Sequence, residues 1–304
     1  MGKAKRGKVV SYNKWGYIFL IPFVTVYLVF QLIPLVSTVY NSFFENYRAG
    51  LTQVGPNFIG LKNYATLFTN GDLLIYTKNT VIMWIMGFVP QILMSLLLGA
   101  WFSDPSMRLK FQRFFKTVIY LPNLIMASAF AMLFFALFAD SGPINSILIG
   151  AGILSAPFRF MSNIWSVRGL VAFMNFIMWF GNTTILLMAG MMGIDPNLYE
   201  AAQVDGANWW QTFTRITLPL LMPVTFYLIV TGVIGGAQMY VEPRLMFTGN
   251  GPSNSTFTTV IHLYDRTFVN SKAGYGSAVA VFLAIIVFIL TLIQFRLNGR
   301  GENK

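Results

Sequence analysis

Apolar residues fall in six long runs, near residues 15–36, 76–102, 114–138, 164–190, 219–241 and 275–296, separated by polar stretches. A helix crossing the hydrocarbon core of a bilayer needs about 20 mostly apolar residues. The pattern therefore predicts an all-α integral membrane protein with six transmembrane helices. The first run, WGYIFLIPFVTVYLVFQLIPLV, follows the basic GKAKRGK and has no small-residue cleavage site after a short core. This predicts a retained helix rather than a signal peptide. INSILIGAGIL, residues 144–154, is apolar but about half the length of a span, and Gly142-Pro143 and Ala156-Pro157 bound it. It reads as an interfacial or short outer helix, with a seventh span as the alternative.

Lysines and arginines near the runs give each loop a side. Lys3, Lys5, Arg6, Lys8 and Lys14 precede the first run, Arg108, Lys110, Arg113 and Lys116 link the second to the third, and Arg296, Arg300 and Lys304 close the chain. These segments belong in the cytoplasm, so both termini are cytoplasmic. Residues 37–75, 139–163 and 242–274 then lie outside and 191–218 lies inside. The chain reads as one transmembrane domain over 1–304, with a basic cytoplasmic N-terminus (1–14), a cytoplasmic loop (191–218) and a cytoplasmic tail (297–304). Internal repeats and low-complexity tracts are absent from the sequence.

Composition agrees with a membrane address: 56% of residues are hydrophobic, 10% are charged and the mean hydropathy is +0.62, whereas soluble domains are about 25% charged. A net charge of +11 does not indicate nucleic acid, because the basic residues punctuate apolar runs instead of clustering on a soluble face. With no cysteine and His262 alone, expected on an exposed loop, the sequence supplies neither a thiolate nucleophile nor a metal cluster. It has no phosphate-cradling Gly-rich loop ending in Lys-Ser or Lys-Thr and no assembled catalytic set, which argues against an enzyme. Charge is nearly absent from the span interiors. Lys78 and Arg168 stand near outer ends, where they can snorkel, and Glu242 marks the outer end of span five. That scarcity disfavours self-powered ion coupling, although an ion-coupled secondary carrier or a channel for a small polar solute stays the alternative.

One cytoplasmic stretch breaks the pattern: EAAQVDGANWWQTFTRITLP, residues 200–219. Asp195 suits a helix N-cap, Pro196 suits the first helical position, and a short helix to about Val204 follows. Ala201 and Ala202 share a small apolar face with Leu198, flanked by Glu200 and Gln203. Gly206 allows a turn, Asn208 caps a second helix, and Trp209, Phe213 and Ile216 form its stripe. The run could lie at the lipid interface with Trp209 and Trp210 as belt residues. Its single base, Arg215, against Asp195, Glu200 and Asp205 suits a protein partner better than anionic lipid.

Glu200-Ala201-Ala202, then Gly206 after three residues, Ile216 after nine more and Leu218-Pro219 resemble the EAA loop of binding-protein-dependent ABC importer permeases, and Asp205 and Ala207 flank the glycine as they often do there. FIGLKNYATLF (58–68), GPINSIL (142–148), FTGNGPSNSTFTTVIHLYDRTF (247–268) and GYGSAVAVFLAIIVFILTLIQFRL (274–297) are similar to the sugar-importing branch. The resemblance implies a type I importer permease in the bacterial cytoplasmic membrane. Its first loop helix would dock on a cytoplasmic ATPase, with Glu200, Ala201, Ala202, Asp205, Gly206, Ala207, Ile216, Leu218 and Pro219 as coupling residues. The implied partners are a second homologous permease, two ATPase subunits that carry ATP and Mg, and an extracytoplasmic sugar-binding protein. No cofactor is implied in this chain. Its cargo would be a sugar, in the first place an oligosaccharide, moved inward by alternating access.

A sugar path wants amides and aromatic faces without fixed charge. Asn175, Trp179 and Asn182 recur at helical spacing in span four, and Gly236, Ala237, Gln238 and Tyr240 end span five. By resemblance, substrate contacts lie just before the EAA loop and in the middle of the following span, and these residues match by location. Asn79, Gln91 and Gln31 read as packing glue, and Gly232-x-x-x-Gly236 and Ala280-x-x-x-Ala284 as close-packing faces. PRLMFTGNGPSNSTFTT reads as an exposed outer loop; by resemblance, such loops meet the substrate-binding protein.

Overall fold

The computed structural model describes residues 13–69, 71–103, 110–247 and 250–299. Lys3, Lys5, Arg6, Lys8, Arg108, Arg300 and Lys304, on which part of the sidedness expectation rests, lie outside these residues. In chain order the elements are α1 (Asn13–Tyr27), continued through a π turn (Leu28–Leu32) by α2 (Ile33–Asn41), then β1 (Phe44–Ala49), β2 (Thr52–Phe58), α3 (Lys62–Thr69) and α4 (Asp72–Ser103). There follow α5 (Gln112–Tyr120), α6 (Ala127–Phe138), α7 (Pro143–Gly150), α8 (Ile164–Met192), α9 (Pro196–Val204), α10 (Trp209–Thr212) and α11 (Leu218–Leu220). The chain continues with α12 (Met222–Ala237), α13 (Val241–Met246), α14 (Thr259–Tyr264) and α15 (Ala273–Gly299). Among the described residues, five stretches are long and apolar enough to cross a membrane, and the bent pair Trp209–Leu220 and Met222–Ala237, meeting at 66°, makes a sixth when counted as one span.

Two compact units divide the chain, one within residues 1–66 and 266–281, the other within 67–265 and 282–304. In the first, α1, the π turn and α2 carry exposed side chains such as Phe19, Phe30 and Leu35 along a whole span, the composition that lipid tails accept. An antiparallel hairpin of β1 and β2 follows, in register Phe44↔Phe58 and Tyr47↔Val54, with a bulge between. The apolar pattern marks residues 37–75 only as a loop between spans and does not foresee the hairpin. Tertiary bonds complete it: Asn63 Nδ2 donates to the carbonyls of Ser42 (2.9 Å) and Phe44 (3.0 Å), and the Arg48 amide donates to the Ser271 carbonyl at 3.1 Å.

In the second unit, α4 and α8 form the central seam. Gln91 Nε2 donates to Thr183 Oγ1 (2.7 Å), Ser95 Oγ to the Phe180 carbonyl (3.1 Å) and Thr184 Oγ1 to Ser95 Oγ (3.1 Å). Each bond satisfies a polar group that would otherwise sit unpaired in an apolar core. Met83, Val167, Val171, Met174 and Met178 pack around this seam with Phe130 and Phe134 of α6. Pro90 sits inside α4 without ending it, and Pro219 and Pro223 each occupy a first helical turn, where a missing N–H costs no bond.

Span three, expected as one helix over 114–138, is broken. α5 ends at Tyr120, Leu121–Leu124 make a 3-10 turn, and α6 begins at Ala127. Pro122 cannot continue the α-helical ladder, and Asn123 Nδ2 pins the break to α8 by donating to the Met178 carbonyl at 3.1 Å. Span five, expected over 219–241, is helical as α12 only to Ala237. Of residues 144–154, those up to Gly150 lie in the short helix α7, held by Asn145, whose side-chain amide donates to the carbonyls of Ala139, Asp140 and Phe158.

Candidate functional site

Between α8 and α12 the chain makes the helix–turn–helix that its local chemistry predicts. Asp195 Oδ1 accepts from the Asn197 amide at 3.0 Å and so caps α9. Gly206 adopts φ +75° with open space around it, a left-handed turn that suits a residue without a Cβ. Asn208 and Gln211 form a reciprocal capping box at 2.9 Å each way. Trp209 stacks on buried Phe213, rings 5.3 Å apart and 2° from parallel.

The two faces of α9 differ. Ala202 is buried, and Tyr199 touches the Thr217 hydroxyl at 3.2 Å, which ties the helix to the turn before α11. Glu200, Ala201, Gln203, Val204, Asp205 and Gly206 are exposed, with Val204 at 89% and Leu198 at 43%. Ala207 and Ile216 are half-buried, Leu218 packs beside Ala100, Met191, Phe213 and Leu221 at the C-terminal ends of α4 and α8, and Pro219 is exposed. Thus α9 presents acids and small apolar groups outward while its inner side is anchored to the spans.

The predicted path residues lie on two elements. On α8, Asn175 is half-buried and donates to the Val171 carbonyl of its own helix at 3.2 Å. Trp179 is 48% exposed, and the side chain of half-buried Asn182 has no hydrogen bond to any described residue. At the end of α12, Gly236 is buried, Ala237 is the last helical residue, and Gln238 is exposed. Tyr240 stands beyond the helix with its ring 5.2 Å from that of Tyr264. Met178 and Met239 share one buried cluster, so the two stretches converge near the middle of α8. Rings from α4 fill the glycine face of α12: a Cβ on Gly236 would collide with the Trp84 indole, and one on Gly232 with the Phe88 ring.

Two expectations need correction. His262, expected on an exposed loop, is 2% exposed and packs against Tyr76 and Phe257. The outer run around it is largely buried, with Ser255, Thr256, Phe257, Thr258 and Thr259 all inside. Arg168 is partly exposed, and its guanidinium binds the loop as well. Its Nη2 donates to Asn79 Oδ1 at 2.6 Å and its Nε to the Ser255 carbonyl at 3.2 Å. Asn79 Nδ2 in turn donates to the carbonyls of Asn254 (3.0 Å) and Phe257 (3.2 Å). An amide and a guanidinium therefore satisfy loop carbonyls that water would otherwise serve. Farther along, Arg244 pairs with Asp265 through both terminal nitrogens, at 3.0 and 3.2 Å, and burial pushes the Glu242 carboxyl above the usual carboxylate range, against the weaker pull of its own backbone amide.

Comparison with known proteins decides the family. Residues 91–301 match the profile described as the binding-protein-dependent transport system inner membrane component, a region that includes α8, the α9 turn and α12. The chain belongs to that family. It is 32% identical over 290 residues to the arabinooligosaccharides transport system permease protein AraP of Bacillus subtilis (strain 168), covering 94% of this chain and 90% of that protein. It is 28% identical to the lactose transport system permease protein LacF of Rhizobium radiobacter, covering 93% and 94%. Its fold matches a chain in the crystal structure of a bacterial ABC transporter involved in the import of the acidic polysaccharide alginate, with TM-score 0.82, 23% identity and coverage of 95% and 96%. This permease is thus a multi-pass inner-membrane component of a transport system.

Proposed function

We propose that this permease carries a sugar, in the first place an oligosaccharide, from an extracytoplasmic binding protein into the cytoplasm by alternating access. The sugar reading follows from relatives named for arabinooligosaccharides and lactose. The engine is a pair of separate ATPase subunits that carry ATP and Mg, and a second homologous permease completes the path. This chain holds no cofactor of its own.

The observation that carries the reading is α9, capped at both ends, anchored through Tyr199 and Ala202, and outwardly exposed at Leu198, Glu200, Ala201 and Val204. Such a face fits a groove on another protein, and its anchor turns a push on α9 into motion of α8 and of the bent span beginning at α10. Glu200, Ala201, Ala202, Asp205, Gly206, Ala207, Ile216, Leu218 and Pro219 form this lever. Asn175, Trp179, Asn182, Gly236, Ala237, Gln238 and Tyr240 are its counterpart on the cargo side, supplying amides, aromatic faces and bare backbone, with no charge among them. Burying a carboxylate beside such a set without a cation costs several kcal/mol, roughly, so the set favours a neutral sugar.

The test is Glu200→Arg in the assembled importer in proteoliposomes. Uptake is expected to fall at least about tenfold, the loss of roughly 1.4 kcal/mol of coupling, while ATP hydrolysis continues without its stimulation by loaded binding protein. Uptake at the wild-type rate would remove α9 from the coupling path.

A further inference from the structure

We propose that Trp84 is a substrate-binding residue of the translocation path, its indole N–H donating to a hydroxyl oxygen of the sugar once α12 moves off α4. The proposal rests on the sugar reading above and extends the path to span two.

The indole Nε1 is buried and has no hydrogen-bond partner. An indole N–H is a single donor fixed in direction, so it cannot swing to find an acceptor as a hydroxyl does. Along α4 from Asn79 to Ser95, the other polar side chains are all paired: Asn79 to the outer loop, Thr80 to the Tyr76 carbonyl, Gln91 to Thr183, and Ser95 to Phe180. Trp84 alone faces α12 with an open donor. The ring is not loosely placed, since it stacks on Phe88 at 5.2 Å and 19°, and the two rings occupy the space left by Gly236 and Gly232.

The two seams of α4 differ in kind. The α4–α8 seam is tied by the bonds just named, whereas no side-chain hydrogen bond among the described residues crosses from α4 to α12. There, flat rings lie on bare glycine backbone. Separating such a seam breaks no polar bond, so it is the cheaper one to open during alternating access. Once open, it exposes a stacked aromatic pair carrying a free N–H, opposite a helix end where Gly235, Gly236 and Ala237 add no bulk and Gln238 is already exposed. A ring face with an adjacent N–H donor is what a sugar's C–H face and hydroxyl oxygens require.

The experiment replaces Trp84 in the assembled importer and measures the concentration dependence of uptake with tritiated arabinotriose or lactose, whichever the wild type takes up. Trp84→Phe keeps a ring over Gly236 and removes the N–H. The expected result is about a tenfold rise in apparent KM, the scale of one lost hydrogen bond, with copurification of the partner subunits and the melting midpoint unchanged. A KM within twofold of wild type overturns the proposal and leaves Trp84 as packing. If Trp84→Phe lowers the melting midpoint, Trp84→3-benzothienylalanine, which keeps the bicyclic shape and lacks only the N–H, decides by the same KM criterion. A wild type that imports neither sugar overturns the sugar reading and this proposal together, whereas a wild type that imports one, with unaltered variants, overturns this proposal alone.

Discussion

Removing the guanidinium of Arg168 is expected to free the outer loop from the spans. Arg168 makes two charge-assisted bonds, to Asn79 Oδ1 at 2.6 Å and to the Ser255 carbonyl at 3.2 Å. Bonds to charged groups contribute about 1.5–3 kcal/mol each, so Arg168→Ala should cost roughly 3 kcal/mol or more. Asn79→Ala strips donors from the carbonyls of Asn254 and Phe257 and should cost a similar amount. Because the two residues share one bond, the double variant should be less damaging than the sum, with a coupling of about 1.5–3 kcal/mol. At about 2–4 °C per kcal/mol for a long chain, each single change lowers the melting midpoint by roughly 6–12 °C. Local release can be read separately. The chain has no cysteine, and Ser255 is 2% exposed with an unpartnered hydroxyl, so Ser255→Cys introduces one buried thiol at small cost. That thiol should react slowly in the parent and at least about tenfold faster with Arg168→Ala, the factor that corresponds to 1.4 kcal/mol of opening free energy. Midpoints within 1 °C (about 0.3 kcal/mol), additive single changes or equal thiol reactivity would refute the reasoning.

Other consequences are testable in the same system. Asn182→Ala, which breaks no hydrogen bond to a described residue, should leave the melting midpoint unchanged and reduce uptake at least about threefold, roughly 0.6 kcal/mol; unchanged uptake would make Asn182 a packing residue. Burial raises the folded-state pKa of Glu242, so the stability linked to its proton is fully present below the unfolded pKa, near 4.5, and is lost as pH rises through the folded value. Glu242→Gln should therefore raise the melting midpoint at pH 7, with the advantage shrinking toward pH 4; an advantage that grows on acidification contradicts this. Reporter fusions at Gly206 and Ser253 should mark opposite sides of the membrane, and the same side for both would break the topology.

How much of this was legible in the sequence depended on distance along the chain. The elements of the α9 turn were readable because their determinants are local: Asp195 caps two residues on, and Asn208 and Gln211 box three apart. Long apolar runs likewise announced the spans. The partners of Asn79 lie 175 and 178 residues away, so nothing near it in sequence indicated that a polar outer run would be drawn inside. The break in span three turns on Pro122, visible beforehand, and on Asn123 reaching α8, which was not. Trp84 was passed over because an aromatic in an apolar span reads as filling. Its signal was the match between two rings at i and i+4 and Gly232-x-x-x-Gly236, which only the paired helices bring together.

The central claim, that α9 is the handle by which an ATPase moves this permease, is tested most directly by solubilising the full chain from its native membrane and identifying what copurifies with wild type and with Gly206→Trp. Gly206 sits at φ +75° in open space, so tryptophan there distorts the turn and adds bulk on the exposed face while leaving the spans intact. The account predicts an ATPase and a second permease with the wild type, and loss of the ATPase alone from the variant. Equal ATPase recovery from both, or a wild type that purifies alone yet transports in vesicles, would contradict it.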